Sequence, residues 1–494
     1  MRFSSRITAP LVALLMLGGC SDSGADGYAN IAFIGKAEEL SVKGLRLPRI
    51  AQHVSAATAE GLVALNQDGE IVPALAERWI VTDDGLSYIF RLRNTDWADG
   101  KPVSGEEVRD ALNRTRQQLR GTSLALDLAK ITEIHARTGR VVEIRLSSPM
   151  PDLLQLLAQP ELGLRHKGKG LGPMQVKLER GSAVLTPMPP EARGLPEDPE
   201  WLDKTRPVRL RPLSAADAVA AFGNGEVDTV LGGTLANLPL ADQGPLSRGT
   251  VRLDAALGLL GLKVRKTDGF LGTAENREAI SMAIDRQNLL QPFNIGGWVP
   301  TTRLVAPGLP DDTGAVAERW QDMTLEDRVA EAGRRVSAWK ARQDGEDGQE
   351  LVLALSMPEG PGADILFGQL AEDLGAAGIT LALAKDPAKA DLQLVDRVAR
   401  FGGARWFLNQ FNCNISRVLC SVDADELVEQ SLTELDPVAR QALLAEAEAN
   451  LLSVNGYIPL GAPVRWSLVR GDIKGFNENR WSLHPLYPFS IDPT

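Results

Sequence analysis

The sequence predicts a mixed α/β protein with enough chain for two or three lobes. Residues 87–93 alternate apolar and polar side chains with the period of a half-buried strand. Residues 439–452 instead space their apolar side chains as an amphipathic helix does. The chain has 494 residues, which is more than a single hydrophobic core usually serves.

Short elements separated by turn residues fill the segment 60–114. Asp68-Gly69 is a tight turn between two apolar stretches. Pro73 is expected to open a helical turn over residues 73–77, because proline suits the first helical position. A second turn is predicted at residues 83–85, immediately before the strand 87–93.

A capping box follows this strand. Ser104 is predicted as the N-cap of a helix, with Glu107 three residues later as its reciprocal partner. The apolar face of that helix is expected to comprise Val108, Ala111, Leu112 and Thr115.

Taken in order, these elements resemble the signature region of the family 5 solute-binding proteins of ABC importers, the peptide, dipeptide and nickel binders. In that family the pattern reads EGL, a turn, PALAE-x-W, DDG, an aromatic strand with R-L-R, W/F-x-DG-x-P, and a capped helix ending in LNR. The chain matches all of these pieces in sequence between Glu60 and Arg114. A chance match to one piece is plausible, but a match to the ordered set is not.

The resemblance extends over essentially all of residues 31–476. The further matching segments are residues 31–34, 170–174, 208–228, 276–286, 296–300, 439–452, 458–460 and 473–476. The family resemblance implies an α/β fold of the two-lobe periplasmic-binding-protein type (type II, cluster C-like) with an extra small inserted domain. Ligand would lie between the lobes, and closure would be a hinge motion.

Domain boundaries follow from the same resemblance. A lipoprotein signal peptide is expected at 1–19 and a tether at 20–27. Lobe I is expected to be discontinuous, the small domain to be inserted early, and lobe II to be continuous. The corresponding residues are 28–50 with 178–265 and 457–494 for lobe I, 51–177 for the inserted domain and 266–456 for lobe II.

The first twenty residues have the pattern of an export signal. Arg2 and Arg6 precede a short apolar run, and Leu17-Gly18-Gly19-Cys20 resembles a lipobox. Cys20 is therefore the predicted lipidation site, and an ordinary secretory signal with a coincidental cysteine is the alternative. No later window reaches the ~18 apolar residues of a membrane helix, so the expected membrane contact is the lipid anchor only.

Composition excludes other classes of function. The formal net charge is −11, and removing Arg2 and Arg6 makes it more negative, which argues against nucleic-acid binding. The chain has neither a Gly-x-Ser-x-Gly elbow nor a His-Glu-x-x-His helix, so an enzyme is not expected. His53, His135, His166 and His484 are scattered without ligand spacing, so no metal, nickel included, and no cofactor is predicted.

The expected ligand site departs from the family pattern. Peptide binders hold the ligand's amino terminus with an Asp in a W-x-x-D-x-x-D-P segment, and Arg397 and Arg400 stand where that Trp and Asp belong. Dipeptide binders also use an earlier Arg for the ligand's carboxylate, but residues 356–364 contain none. Both anchors of a dipeptide binder are missing, which favours an anionic or an uncharged ligand.

Three arginines with two aromatic residues form the candidate site. Arg397, Arg400 and Arg405, with Phe401 and Trp406, are predicted to line a cationic, aromatic floor. Arginine binds carboxylate or phosphate through its bidentate fork. The alternative is that these arginines face solvent or pair with acids between the lobes.

Two further cysteines lie close together. Cys413 and Cys420 favour a local disulfide in an oxidising compartment, with two free thiols as the alternative. A metal site is less favoured because no histidine or cysteine completes a ligand set.

The resemblance predicts the receptor of an ABC importer. It would capture a peptide-like or other small solute and deliver it to a permease and ATPase complex, as a monomeric lipoprotein of the periplasm or cell envelope. The alternative is a diverged lipoprotein of the same fold that acts as an envelope sensor, chaperone or scaffold without import. The missing ligand anchors favour the alternative, whereas the intact signature segments favour the receptor.

Overall fold

The computed structural model describes residues 27–242, 249–342, 350–416 and 418–491. Two large sheets and one smaller sheet, each covered by helices, make up this part of the chain. The predicted signal peptide and Cys20 lie outside the described residues.

The first large sheet has seven strands in the order β10-β11-β12-β1-β13-β20-β14. They are β1 (Ala29–Ile34), β10 (Met174–Glu179), β11 (Ser182–Pro187), β12 (Val208–Leu213), β13 (Thr229–Thr234), β14 (Val251–Asp254) and β20 (Arg465–Val469). β1 lies in the middle and runs parallel to both of its neighbours, with Ala29 opposite Val208. The predicted strands at residues 31–34 and 208–212 are both in this sheet.

The second large sheet has five strands in the order β17-β16-β18-β15-β19. They are β15 (Gly258–Val264), β16 (Leu351–Ser356), β17 (Ile379–Leu383), β18 (Leu392–Val398) and β19 (Tyr457–Gly461). β18 pairs antiparallel with β15 along its whole length, from Gly258 opposite Val398 to Val264 opposite Leu392. Its last residues therefore lie beside the start of β15.

The smaller sheet has four strands in the order β4-β5-β7-β6, and two short hairpins accompany it. The strands of the sheet are β4 (Ala76–Val81), β5 (Ser87–Leu92), β6 (Ile131–Arg137) and β7 (Val141–Leu146). The first hairpin consists of β2 (Val63–Leu65) and β3 (Ile71–Pro73), and the second of β8 (Arg165–His166) and β9 (Lys169–Gly170). We refer to residues 60–172, which contain this sheet and both hairpins, as the small unit.

Eleven α-helices lie within the described ranges. They are α1 (Arg49–Thr58), α2 (Gly105–Gln118), α3 (Ser123–Asp127), α4 (Leu153–Leu157), α5 (Ala215–Gly223), α6 (Ala274–Ala283), α7 (Leu325–Lys340), α8 (Pro361–Ala376), α9 (Ala404–Asn409), α10 (Val422–Gln430) and α11 (Pro437–Val454). None of the helices in the described ranges combines the length and the apolarity that a membrane span requires.

The predicted capping box forms at the start of α2. The backbone N–H of Glu107 donates to Ser104 Oγ at 3.2 Å, and the backbone N–H of Ser104 donates to a Glu107 carboxylate oxygen at 3.4 Å. Val108, Ala111 and Leu112 are buried, as predicted. Local side-chain chemistry therefore fixes where this helix begins.

The helical turn predicted for residues 73–77 is wrong. Pro73 ends β3, and Ala76 begins β4. The N–H of Leu75 donates to the carbonyl of Gly61, and that of Ala76 donates to the carbonyl of Leu62. Burial against these neighbours overrides the helix propensity of the Ala-Leu-Ala sequence. The helix predicted over residues 276–286 is α6, which ends at Ala283 because Ile284 is extended.

Two short crossings join the large sheets, at residues 255–257 between β14 and β15 and at residues 462–464 between β19 and β20. The boundaries predicted at residues 265/266 and 456/457 assigned β15 and β19 to lobe I. Strand pairing instead places both strands in the five-stranded sheet. Each predicted boundary is thus displaced by one strand, because a buried apolar strand has the same pattern in either sheet.

Side-chain packing places the start of the small unit later in the chain than residue 51. Ile50, Val54 and Ala57 of α1 share one apolar cluster with β1, so α1 packs on the seven-stranded sheet and not within the region predicted to begin at residue 51. A second cluster links the two large sheets through residues such as Trp466 and Leu262. A third cluster continues from the small unit into α9 and α11.

Candidate ligand-binding cleft

A cavity of about 290 Å³ lies where the two large sheets and the small unit meet. Every one of these three parts contributes to its wall. Its lining residues are Arg49, Gln52, Leu65, Ser123, Gln159, Pro160, Asp396, Arg397, Val398, Ala399, Arg400, Trp406, Gln410, Arg465, Trp481 and Leu483. We call this the cleft cavity.

The end of β18 forms one wall of the cleft cavity. Residues 396–400 pass from the last residues of the strand into the loop before α9. The N–H of Ala399 donates to the carbonyl of Leu257 in the first crossing at 2.7 Å. This bond holds the loop directly beside one of the two connections between the large sheets.

An ion pair crosses the cleft next to the second crossing. Arg465, the first residue of β20, donates to Asp396 of β18 through Nη1 at 2.9 Å, and its Nη2 lies 2.6 Å from Oδ1. Both side chains are largely buried. The pair therefore joins the seven-stranded sheet to the five-stranded sheet at the point where the chain passes between them.

Arg49 enters the cavity from the opposite side. It is the first residue of α1, and one Nη donates to the carbonyl and hydroxyl of Ser482. Burial first, and then repulsion from Arg465, lower the pKa of Arg49 to about 10. The guanidinium still carries its charge at neutral pH.

The small unit contacts the same loop. A carboxylate oxygen of Glu161, which is buried, lies 3.5 Å from Arg400 Nη2. The side-chain amide of Gln159 donates to the backbone carbonyl of Arg400 at 3.1 Å. Arg400 thus realises the alternative in which an arginine pairs with an acid between the parts of the molecule.

Of the five predicted ligand contacts, three line the cleft cavity and two do not. Arg397, Arg400 and Trp406 are in its wall. Arg405 and Phe401, also predicted as floor residues, are buried in the core where the small unit meets α9. Arg405 Nη2 donates instead to the carbonyl of Leu126 at 2.8 Å.

The interface between the small unit and α9 holds a buried carboxyl group. Asp127 is fully buried, and Asn409 Nδ2 donates to its Oδ1 at 2.8 Å. Burial raises the pKa of Asp127 to about 6, although Asn409, Arg400 and Arg405 oppose this shift. Charge on Asp127 is therefore costly in the folded state.

A disulfide joins Cys413 and Cys420, with the two Cα atoms 5.2 Å apart. The backbone N–H of Cys413 donates to the side chain of Asp425 in α10. The bridge ties the segment after α9 to the start of α10.

Two of the four histidines come together. The backbone N–H of His484 donates to His53 Nε2 at 3.3 Å, and the His484 ring lies 3.2 Å from Asp254 Oδ2. Burial lowers the pKa of His53 to about 3, so its ring is neutral. Within the described residues, no group of three or more potential ligands is arranged to hold a metal ion.

A larger cavity, of about 640 Å³, lies between the first hairpin and residues 483–491. Its wall is mostly apolar, and the buried Glu60 in it is paired with Arg93 at 2.7 Å and with Arg193 at 3.1 Å. It lacks the wall from β18 that the cleft cavity has. The smaller cavity beside the crossings is therefore the candidate for a polar recognition site, and it shares Leu65, Gln159, Pro160 and Leu483 with the larger one.

Sequence reasoning missed Arg49, Asp396, Arg465 and Trp481 as cavity residues. Asp396 stands next to the predicted Arg397 in the sequence, and both line the cavity although strand alternation places neighbouring side chains on opposite faces. Arg49 carried a usable signal, because a cation in the first turn of a helix opposes the helix dipole and is uncommon.

The chain is similar to known extracellular binding proteins. The family model described as "Bacterial extracellular solute-binding proteins, family 5 Middle" matches residues 70–186 and 196–411. The chain is 31% identical over 121 residues to the Escherichia coli "Probable deoxycholate-binding periplasmic protein YgiS", covering 21% of this chain and 23% of that one. It is 24% identical over 290 residues to the Bacillus subtilis "Dipeptide-binding protein DppE", covering 52% of this chain and 51% of that one.

The fold is also that of a solved binding protein. The structure of Haemophilus influenzae OppA in complex with the peptide RPPGFSPFR has a TM-score of 0.78, with 16% identity and coverage of 94% of this chain and 99% of that one. These matches confirm the two-lobe α/β fold that the sequence predicted. Because the matched model describes binding proteins and spans most of the chain, the expectation of a non-enzyme is also confirmed. The chain belongs to the bacterial extracellular solute-binding proteins, family 5.

Proposed function

We propose that the protein is an extracytoplasmic receptor of an ABC importer that captures a small solute in the cleft cavity and delivers it to a membrane permease. The single observation that carries this proposal is the position of the cavity. Its wall combines residues from both large sheets and from the small unit, beside the two crossings at residues 255–257 and 462–464. A rotation about these crossings would open and close the cavity, as in hinged binding proteins.

The size and chemistry of the cavity suit a small solute. A volume of about 290 Å³ is near the lower end of typical small-molecule sites. Trp406, Trp481 and Leu483 offer apolar contact, and arginines provide polar anchors. The matched relatives are named for deoxycholate and for dipeptides, both small solutes.

The remaining parts of the proposal rest on the sequence. Cys20 after a lipobox-like segment supports a lipid anchor and a location in the periplasm or cell envelope. The division into lobe I, an inserted small domain and lobe II is retained as a proposal, with the lobe boundaries at the two crossings. A monomer that meets a permease and an ATPase complex follows the pattern of the family.

Native mass spectrometry of the form that begins after Cys20 tests the proposal first. The protein is purified without denaturation and then gently unfolded to release any passenger. We expect a discrete small mass whose re-addition raises the melting temperature. Bound ligand at a hundredfold excess over Kd stabilises the native state by about 3 kcal/mol. Small-angle scattering should show a smaller radius of gyration with the solute than without it.

A matched pair of tryptophan variants controls this experiment. Gln52→Trp places a bulky ring in the cleft cavity from α1 and should abolish both responses. Gln117→Trp makes the same change on the exposed side of α2 and should leave both responses intact. A protein that neither carries a passenger nor responds to peptides, sugars, opines or bile acids would refute the receptor and favour the sensor, chaperone or scaffold.

A further inference from the structure

Positive charge outnumbers negative charge in the wall of the cleft cavity. Arg49, Arg397, Arg400 and Arg465 are cationic, and Asp396 is the anionic residue among the described lining residues. The whole chain has the opposite balance, with a formal net charge of −11. The cavity is therefore a local concentration of positive charge on an acidic protein.

Two of these four guanidinium groups already have carboxylate partners. Arg465 is paired with Asp396, and Arg400 lies 3.5 Å from the Glu161 carboxylate. Within the described ranges, neither Arg49 nor Arg397 forms an ion pair. Arg397 Nη1 donates to the neutral side chain of Gln410 at 3.1 Å, and Arg49 donates to Ser482.

The two guanidinium groups without a carboxylate partner differ in exposure: Arg49 is half-buried, whereas Arg397 is exposed although protein surrounds much of it. Burial, with repulsion from Arg400 as the next cause, lowers the pKa of Arg397, and that of Arg49 falls to about 10. Both groups remain protonated at neutral pH. Asp254 and Asp396 offset part of the cost of burying the Arg49 charge without forming an ion pair with it, and a bound anion would offset more.

Hydrogen-bond donors are also in excess. Arg49 Nε, Arg465 Nε and Trp406 Nε1 are buried and have no acceptor among the described residues. All three residues line the cleft cavity. A carboxylate offers about four acceptor positions and no donor, so it would complement these N–H groups once side-chain rotation brings them to the cavity surface.

We propose that the cleft cavity selects a solute that carries carboxylate groups, which bind between Arg49 and Arg397, and that it rejects a free ammonium group there. This inference rests on the proposed receptor function and names the class of its cargo. Arg49 belongs to the side of the seven-stranded sheet and Arg397 to the five-stranded sheet, so one carboxylated solute contacts both sides of the cleft. Each guanidinium forms charge-assisted, bidentate hydrogen bonds with carboxylate.

Three dipeptide probes of matched length test the charge preference. They are N-acetyl-alanyl-glutamate with two carboxylates, the neutral N-acetyl-alanyl-glutamine amide, and alanyl-lysine amide with two ammonium groups. Calorimetric titration at low salt should give the tightest binding for the glutamate probe. Its affinity should fall as salt is raised, because salt screens charge interactions.

Two arginine variants make the test specific to the cavity. Arg397→Gln removes one charge but leaves the cavity polar, and its fold is checked by the melting temperature. The matched control is Arg334→Gln, whose side chain is 68% exposed on α7 and pairs only with Glu331 among the described residues. We expect Arg397→Gln to weaken binding of the glutamate probe by at least about tenfold and Arg334→Gln to leave it unchanged.

The outcomes separate this inference from the function on which it rests. Equal or tighter binding of the neutral or cationic probe would overturn the charge selection while supporting a solute receptor. Binding of the glutamate probe that survives Arg397→Gln would overturn the assignment to this cavity. A protein that binds none of the three probes and also carries no passenger would contradict the receptor function, and the inference would fall with it.

Discussion

Asp127 gives the sharpest test of the electrostatics between the small unit and α9. The fully buried carboxyl group accepts one hydrogen bond, from Asn409, and its Oδ2 atom has no partner in the described part of the chain. Its pKa rises from an ordinary 3.8 to about 6 in the folded protein. That difference corresponds to about 3 kcal/mol between the protonated and ionised states.

The sign of the pH effect follows from the direction of the shift. Protonated Asp127 favours the folded state, so its stabilising contribution is complete below pH 3.8 and is lost as pH rises through about 6. Asp127→Asn keeps an uncharged group at this position at every pH. The variant should therefore gain stability relative to the wild type over pH 4–6, reaching about 3 kcal/mol at pH 7.

Urea unfolding of both proteins at pH 4.5, 5.5, 6.5 and 7.5 measures this difference. Lys130 and Asp152, whose pKa values shift to about 7 and about 6 mainly through burial, lie in the same region. They are present in both proteins, so the difference curve isolates Asp127. The control is Asp110→Asn, which removes an exposed ion pair with Arg109. Its difference in unfolding free energy from the wild type should not change with pH over this range. Parallel stability curves for the wild type and Asp127→Asn would refute the reasoning.

Two further predictions concern stability. Glu448→Ala removes a buried carboxylate that binds Arg303 and two backbone N–H groups, and should cost about 3–5 kcal/mol in urea unfolding. Glu429→Ala on the exposed side of α10 is its control, and an equal loss in both variants would contradict the role of the buried network. Replacing Cys413 and Cys420 by serine should cost about 2.5 kcal/mol by loop-closure entropy. Reducing agent should lower the melting temperature of the wild type and not that of the double variant, and an insensitive wild type would argue against the bridge.

The sequence predicted well those features that depend on residues close together in the chain. The capping box at Ser104 and Glu107 involves residues three positions apart, so it can be read from one window of sequence. The strand 87–92 shows a strict alternation because one face packs on the core of the small unit and the other does not. Such features depend little on the rest of the chain.

Pairing between distant strands limited the prediction of the lobes. β15 and β19 are buried apolar strands, and their sequence pattern does not identify the sheet that they join. That choice depends on pairing β15 with β18, more than a hundred residues away along the chain. The helical turn predicted for residues 73–77 was wrong for the same reason, since contacts with Gly61 and Leu62 decide the conformation of this segment.

The candidate site was predicted only in part because its residues come from distant segments. Arg397 and Arg400 were found from one short stretch, whereas Arg49 and Arg465 approach from opposite ends of the sequence. Arg405 lies outside the cavity lining in α9, a short helix whose residues Ala404–Asn409 are all buried. A six-residue segment without polar alternation gives no sign of which side chain faces a cleft.

The arrangement of arginines around the cleft cavity has a consequence for the resting protein. Arg49 and Arg397 line the cavity from the two large sheets, and each is repelled by a further cavity arginine, Arg49 by Arg465 and Arg397 by Arg400. Like charges oppose close approach, so this excess of arginines would disfavour closure of an empty cleft. Under the proposal made above, a carboxylated solute would replace this repulsion by attraction to both walls. The same charges that would select the ligand would thus keep the ligand-free receptor open. A transporter that recognises the closed form would then hydrolyse little ATP without transporting a solute.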